Sequence, residues 1–203
     1  MTSYGNNIVA SVSVELSEIV QKYIDKFPIE HCFEPPSLHV WIENLNRLDM
    51  NICFMAEYFL PDIMSLRTLD CEYEIKILNP SDFESYYTPE WSNALCDKRK
   101  HLDRLAVGAF RKDKLIGLAG CSADCDKMWQ IGVDVLPEFR KEGIASCLTS
   151  KLAIAVLSLD IVPFYCSGWS NIKSARNAIK SGFKPAWVQA TVKTNDFILN
   201  INK

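Results

Sequence analysis

The chain has 203 residues, of which 48% are apolar and 23% charged; this suits one ordinary folded domain or two small ones and excludes a disulfide-stapled miniprotein, a disordered segment and a fibrous repeat. Twenty-two Lys and Arg against twenty-five Asp and Glu leave a net charge of −3 without any long basic tract, so no nucleic-acid partner is expected. Met1 to Ser13 has no basic start followed by an apolar run, and no stretch approaches the roughly twenty apolar residues that span a bilayer. A soluble cytoplasmic protein with no membrane partner is expected.

In chain order, Leu16, Ile19, Val20, Tyr23, Ile24 and Phe27 recur at helical spacing with Glu15, Glu18, Lys22 and Asp25 between them, and Pro28 stops the helix. A second helix is predicted after Pro35-Pro36, with Ser37 as its cap and Leu38, Trp41, Ile42, Leu45 and Leu48 as its apolar stripe. His31 and His39, set among apolar residues, are expected to pack rather than ligate. The apolar segment Ile52 to Leu60 has mixed periodicity, which leaves strand and helix both open.

After Asp70 the period changes to two: Tyr73, Ile75 and Ile77 alternate with Glu72, Glu74 and Lys76, the pattern of a strand with one buried face. Thr88-Pro89 reads as an N-cap followed by proline at the first helical position, which predicts a helix through Trp91 and Leu95 to Leu102. Leu105 to Phe110 and Leu115 to Cys121 read as strands joined by the turn Arg111-Lys112-Asp113-Lys114, and Met128 to Leu136 as a third strand of an antiparallel meander. Ile144, Leu148, Leu152 and Val156 then mark a helix. Val162 to Ser167 reads as a buried strand, Asn171 to Ser181 as a helix stopped by Gly182, and Ala186 to Val192 as a last strand. Strands and helices in this order indicate an α/β or α+β sheet domain over residues 71–203, preceded by a helical or mixed region over 1–70. The eight cysteines, Cys32, Cys53, Cys71, Cys96, Cys121, Cys125, Cys147 and Cys166, contain no CxxC pair and are expected to be reduced and mostly buried. Cys121, Cys125 and His101 fall short of a structural zinc set, so no metal is expected.

The segment from Val135 to Ala145 carries the strongest chemical signal. It runs from a strand end through Pro137, Arg140 and Lys141 into a helix, with Gly143 at the entrance. The first amides of a helix lack intrahelical partners and its dipole is positive there, so such an entrance can hold a pyrophosphate. Gly143 permits close approach, Ala145 keeps the entrance narrow, and Arg140 and Lys141 add positive charge. A nucleotide P-loop fits worse, because no Lys follows Gly143. Taken alone, the same residues also describe a surface turn with two solvated cations.

This turn resembles the acyl-CoA signature Arg/Gln-x-x-Gly-x-Gly/Ala of the GCN5-related N-acetyltransferases, with Arg140, Gly143 and Ala145 at the defining places. Downstream, Ser170 to Ser174 followed by Ser181-Gly182-Phe183 resembles the Asn-containing helix and closing Gly-Phe of that superfamily, and the runs Ile131 to Arg140 and Ser170 to Val188 are similar to a bacterial branch of it. The resemblance covers approximately Tyr73 to Val192. It implies a mixed, mostly antiparallel twisted sheet, flanked by helices and splayed to admit acetyl-CoA. It also implies pyrophosphate held by Arg140, Lys141, Glu142, Gly143, Ile144 and Ala145, and a pantetheine arm paired with Val133, Asp134 and Val135 and touched by Asn171 and Ser174.

The expected reaction moves an acetyl group to a primary amine of a small molecule or peptide by direct attack. A main-chain N–H between Val133 and Val135 is the expected oxyanion donor. The superfamily often places a tyrosine four positions before the glycine of Gly-Phe; here that residue is Ala178. Tyr165 is therefore the candidate proton donor, with a packed core tyrosine as its other reading. Asp134 is the candidate base, unless strand alternation turns it away. Trp129 and Trp169 are candidate walls of an acceptor pocket. Two further readings stay open: a catalytically weak acyl-CoA-binding regulatory module, suggested by Ala178, and a first seventy residues that serve as an interaction or homodimerisation element.

Overall fold

The computed structural model describes residues 1–203. Its elements in chain order are β1 (Thr2–Ser3), β2 (Ile8–Val9), α1 (Val14–Lys26), α2 (Pro35–Asn46), β3 (Met50–Pro61), β4 (Glu74–Leu78) and α3 (Pro80–Phe83). There follow β5 (Asp103–Arg111), β6 (Lys114–Ser122), β7 (Met128–Val135), α4 (Ile144–Leu157), β8 (Val162–Gly168), α5 (Ile172–Lys180), β9 (Phe183–Thr194) and α6 (Asn195–Ile201). The chain forms two units: unit 1 comprises Met1–Tyr58, Gly168–Ser170 and Ala186–Lys203, and unit 2 comprises Phe59–Ser167 and Asn171–Pro185. The architecture is mixed, with mostly antiparallel strands flanked by helices, as expected.

In unit 1 the strand order is β2-β1-β9-β3. Thr2 faces Val9 on one side and Gln189 on the other, both antiparallel. Tyr23, Phe33, Leu38, Trp41, Leu45 and Ala190 form the buried cluster, and the Tyr23 hydroxyl donates to the Cys32 carbonyl at 2.6 Å. The α2 cap differs from expectation. Glu34 is the N-cap and the two prolines fill the first turn, where a missing N–H costs nothing; Ser37 lies inside the helix, and Leu48 falls beyond its end and is exposed. The two histidines are also corrected. Both are exposed, with His31 Nδ1 at 3.0 Å from Glu34 and His39 Nε2 at 3.3 Å from Glu43; the latter pair stands four residues apart on the solvent side of α2. The undecided segment is the strand β3.

In unit 2 the order is β8-β7-β6-β5-β4, antiparallel except for the parallel β7–β8 pair. The β5–β6 turn places Lys112 and Asp113 at φ 47° and 64°, two left-handed central residues whose twist matches that of the strands. Both faces of the sheet are covered. α4 packs its Ile144, Leu148, Leu152 and Val156 against β5, β6 and β7, while Leu78, Phe83, Trp91, Leu95, Phe110 and Leu118 form a second cluster. Residues 115–121 of β6 are accordingly buried throughout, which is why that strand reads as a continuous apolar run.

The helix expected from Thr88 to Leu102 does not form. Two 3-10 segments, Pro89–Trp91 and Asp97–Leu102, stand there instead. Tertiary partners satisfy the intervening backbone: the Asn93 and Ala94 amides donate to Asp134 Oδ2 at 2.8 and 3.0 Å, and the Cys96 amide to Asp103 Oδ2 at 3.0 Å. The expectation for the cysteines is half right. All eight are free thiols, but only Cys32, Cys121 and Cys147 are buried, and Cys125 is exposed. No helix is long and apolar enough to cross a membrane.

Candidate functional site

The entrance to α4 follows directly from β7. Val135 ends that strand, Pro137–Phe139 makes one 3-10 turn, and Arg140 turns back so that its Nε donates to the Val135 carbonyl at 3.0 Å. Lys141 and Gly143 both take left-handed backbone, at φ 71° and 84°. Gly143 is the N-cap of α4, and a Cβ built on it would meet no atom within 4 Å. Its carbonyl accepts the first helical bond, from the Cys147 amide at 3.0 Å, and the Ser146 hydroxyl at 3.0 Å. With glycine as cap, no cap side chain bonds the amides of Ile144, Ala145 and Ser146, which precede the first acceptor within reach. Fourteen residues of helix stand behind them. The result is an open, positively polarised entrance rimmed by the exposed Arg140 and Lys141, suited to a phosphate ester. Glu142 points elsewhere: its Oε2 accepts the Tyr73 hydroxyl at 2.5 Å, and this hydrogen bond, more than burial, raises the pKa of the tyrosine.

The β7–β8 pair opens beside this entrance. Its parallel register runs from Met128↔Val162 to Ile131↔Tyr165, whereas β7 stays paired with β6 as far as Gly117↔Val135. Val133, Asp134 and Val135 thus lie beyond the last β7–β8 pair, where an extended ligand can add as a strand. On the other side of the opening, Tyr165 and Ser174 hydroxyls meet at 2.9 Å, and Asn171 caps α5 by accepting the Ser174 amide at 3.2 Å. The fold thus joins Tyr165, Ser174 and Asn171 in one hydrogen-bonded chain. Tyr165 is buried, with Phe59 edge-on at 6.5 Å and Phe183 at 6.2 Å. Ala178, at the place of the superfamily tyrosine, is fully buried in the same cluster.

Asp134 is placed differently from the other candidates. Its Oδ2 accepts the two amides already named and its Oδ1 accepts Asn93 Nδ2 at 2.6 Å, so three donors from one segment hold the carboxylate. Sequence reasoning missed that segment as part of the site. Gly120 and Gly132 face each other across β6 and β7; a Cβ on Gly132 would lie 1.8 Å from the Asn93 carbonyl oxygen, and one on Gly120 would lie 2.1 Å from that of Ala94. Paired glycines on neighbouring strands were the available signal for such a close backbone approach. Trp129 packs against the core of unit 2; Trp169 is 43% exposed and lies near Phe33 within unit 1.

A parallel sheet pair that opens beside a glycine-capped helix, next to an antiparallel meander, is the feature by which solved structures can be compared. A GCN5-related N-acetyltransferase-like protein from Streptococcus suis superposes with a TM-score of 0.57 at 17% identity, over 78% of this chain and 69% of that one. A GCN5-related N-acetyltransferase from Kribbella flavida gives 0.58 at 13% identity, over 79% and 64%. The fold is that of the GCN5-related N-acetyltransferases. An acetyltransferase of this family from Colwellia psychrerythraea gives 0.52 at 16% identity, over 71% of this chain and 57% of its own. The matches thus take in 57 to 69% of those three chains, and the likeness at these identities is one of fold. No family model matches the sequence, and no curated protein does.

Proposed function

We propose that the chain is an acetyl-CoA-dependent N-acetyltransferase that moves an acetyl group to a primary amine of a small molecule or peptide. The observation that carries this reading is the α4 entrance: a left-handed Gly143 cap with open space above it, next to the end of the β7–β8 pairing. Pyrophosphate would be held by the amides of Gly143, Ile144 and Ala145, with Arg140 and Lys141 adding charge and Glu142 shaping the turn through Tyr73. Val133 to Val135 would pair with the pantetheine arm, and Asn171 and Ser174 would border it. The thioester supplies the activated acetyl group. A main-chain N–H between Val133 and Val135 would donate to the developing oxyanion, and side-by-side binding would remove much of the entropic barrier to attack. Tyr165, already hydrogen-bonded to Ser174, is the proposed donor to the departing thiolate. Asp134, held by three donors, is reassigned from base to anchor of the 93–94 segment. For residues 1–70 the proposal is an interaction or dimerisation element, tested by the solution mass of the intact chain.

Gly143→Asp places bulk and negative charge in the entrance. Titration calorimetry should show CoA binding to fall below detection in this variant while it persists in the parent; equal affinity in both would refute the site. Ala178 supports a second reading, an acyl-CoA-binding regulatory module of weak catalytic power. Thiol release from acetyl-CoA over a panel of amines separates the two: binding without turnover on any amine favours the module.

A further inference from the structure

Cys147 occupies the first turn of α4 and is fully buried, whereas Cys71 lies in the half-buried segment that leads into β4. Three contacts lay that segment along the helix. The Leu69 amide donates to Ser150 Oγ at 3.1 Å, the Asp70 carboxylate lies 3.7 Å from Lys151 Nζ, and the Tyr73 hydroxyl reaches Glu142. Cys147, Ser150 and Lys151 stand three and four residues apart, so they share one face of the helix. A chain that touches Ser150 and Lys151 with residues 69 and 70, and Glu142 with residue 73, carries residue 71 past Cys147. That path brings Cys71 next to Cys147; burial first, and then the neighbouring Cys71 thiol, push the Cys147 thiol up to about 12. A thiol so far from ionising is a poor first nucleophile toward an oxidant, whereas its half-exposed neighbour can be reached from solvent.

We propose that Cys71 and Cys147 form a reversible intramolecular disulfide, a modification site whose oxidant is a hydroperoxide. The Cys71 thiol gives up its proton and its sulfur attacks the peroxide oxygen; the O–O bond breaks, the departing hydroxide or alkoxide takes up that proton, and the products are a sulfenic acid on Cys71 and water or an alcohol. The Cys147 sulfur then displaces hydroxide from the sulfenic sulfur; its proton leaves with that hydroxide as a second water, and the S–S bond forms. Two electrons pass from the two thiols to the peroxide, and a dithiol returns them on reduction. The bond would fasten residues 69–73 to the first turns of α4, closing a chain loop from residue 71 to residue 147. The inference concerns a pair of thiols and stands whether or not the neighbouring entrance binds CoA.

The intact protein is treated with hydrogen peroxide at graded excess, alkylated, and digested without reductant. The expected product is one cross-linked peptide pair containing Cys71 and Cys147, two hydrogens lighter than the sum of the free peptides and released by dithiothreitol, formed before comparable loss of the other six thiols. Cys71→Ser, at the half-exposed partner, should abolish the product without disturbing the fold, checked by circular dichroism; Cys125→Ser should leave it intact. The proposal is overturned if both thiols stay alkylatable when Cys125 is already oxidised, if Cys71 pairs with a different cysteine, or if Cys71 stops at sulfinic acid with Cys147 still free.

Discussion

Tyr165 shows how one residue can satisfy packing and chemistry together. Its ring lies between Phe59 and Phe183 and its hydroxyl meets Ser174, so the side chain is held with little rotamer freedom at the edge of the β7–β8 opening. If its hydroxyl donates the proton to the thiolate, Tyr165→Phe should lower kcat by about 100-fold or more while CoA affinity stays within a factor of about three. Full activity in that variant would leave the hydroxyl a purely structural role. Gly143 is the other decisive residue. A side chain at φ 84° costs about 1–2 kcal/mol, so Gly143→Ala should be somewhat destabilising even where it leaves room for phosphate. The residue types at the helix entrance could be read from the sequence because main chain and charge act locally. The placement of Asp134 could not, since its three donors lie forty residues away along the chain.

At the level of elements, the segment between Trp91 and Asp103 shows propensity giving way to tertiary hydrogen bonds. Its amides go to Asp134 and Asp103 and its carbonyls lie over Gly132 and Gly120, so a helical ladder there would forfeit three amide hydrogen bonds and two close carbonyl approaches. Gly132→Ala forces the Asn93 carbonyl away from the sheet and should cost about 1–3 kcal/mol, read as a lower urea midpoint with an unchanged slope; an unshifted midpoint would mean that the segment yields without penalty. Asp103 is 4% exposed and accepts the Tyr87 hydroxyl and the Cys96 amide. Burial raises its pKa and outweighs those hydrogen bonds, which act to lower it. The sign follows from the raised value: its contribution to stability is complete below the unfolded-state pKa, about 4, and is lost as pH rises through the higher folded-state value. Asp103→Asn keeps an acceptor without the ionisation. Urea midpoints measured from about pH 4 upward should therefore fall less in the variant than in the parent, and parallel profiles would contradict the assignment. By contrast, α1, α4 and the β5–β6 hairpin emerge where the sequence places them, because each rests on a single period and a local stop or turn signal.

Across the whole chain, the two units are defined by contacts between distant segments. Residues near both ends pair in unit 1: the Ala190 amide donates to the Met1 carbonyl at 2.9 Å, and Ala190 is buried with Tyr23 and Trp41. Ala190→Asp would bury an unpaired charge and should destabilise unit 1 by about 3 kcal/mol or more, seen as earlier exposure of Trp41 in urea by its fluorescence; an unaltered midpoint would show that β9 is dispensable to that core. What the sequence by itself determined is the set of features whose physics is local: hydrophobic period, proline and glycine punctuation, the composition of the α4 entrance, and the ordered motifs that pointed to this fold. Only the tertiary structure decided which strands border each other outside the β5–β6–β7 meander, that residues 186–203 join the first unit, that Asp134 is held by a distant segment, and that the chain at Cys71 passes beside Cys147. These depend on pairings across tens to nearly two hundred residues, and a one-dimensional pattern can mark a strand as apolar or a carboxylate as available without specifying the partner that buries or engages it.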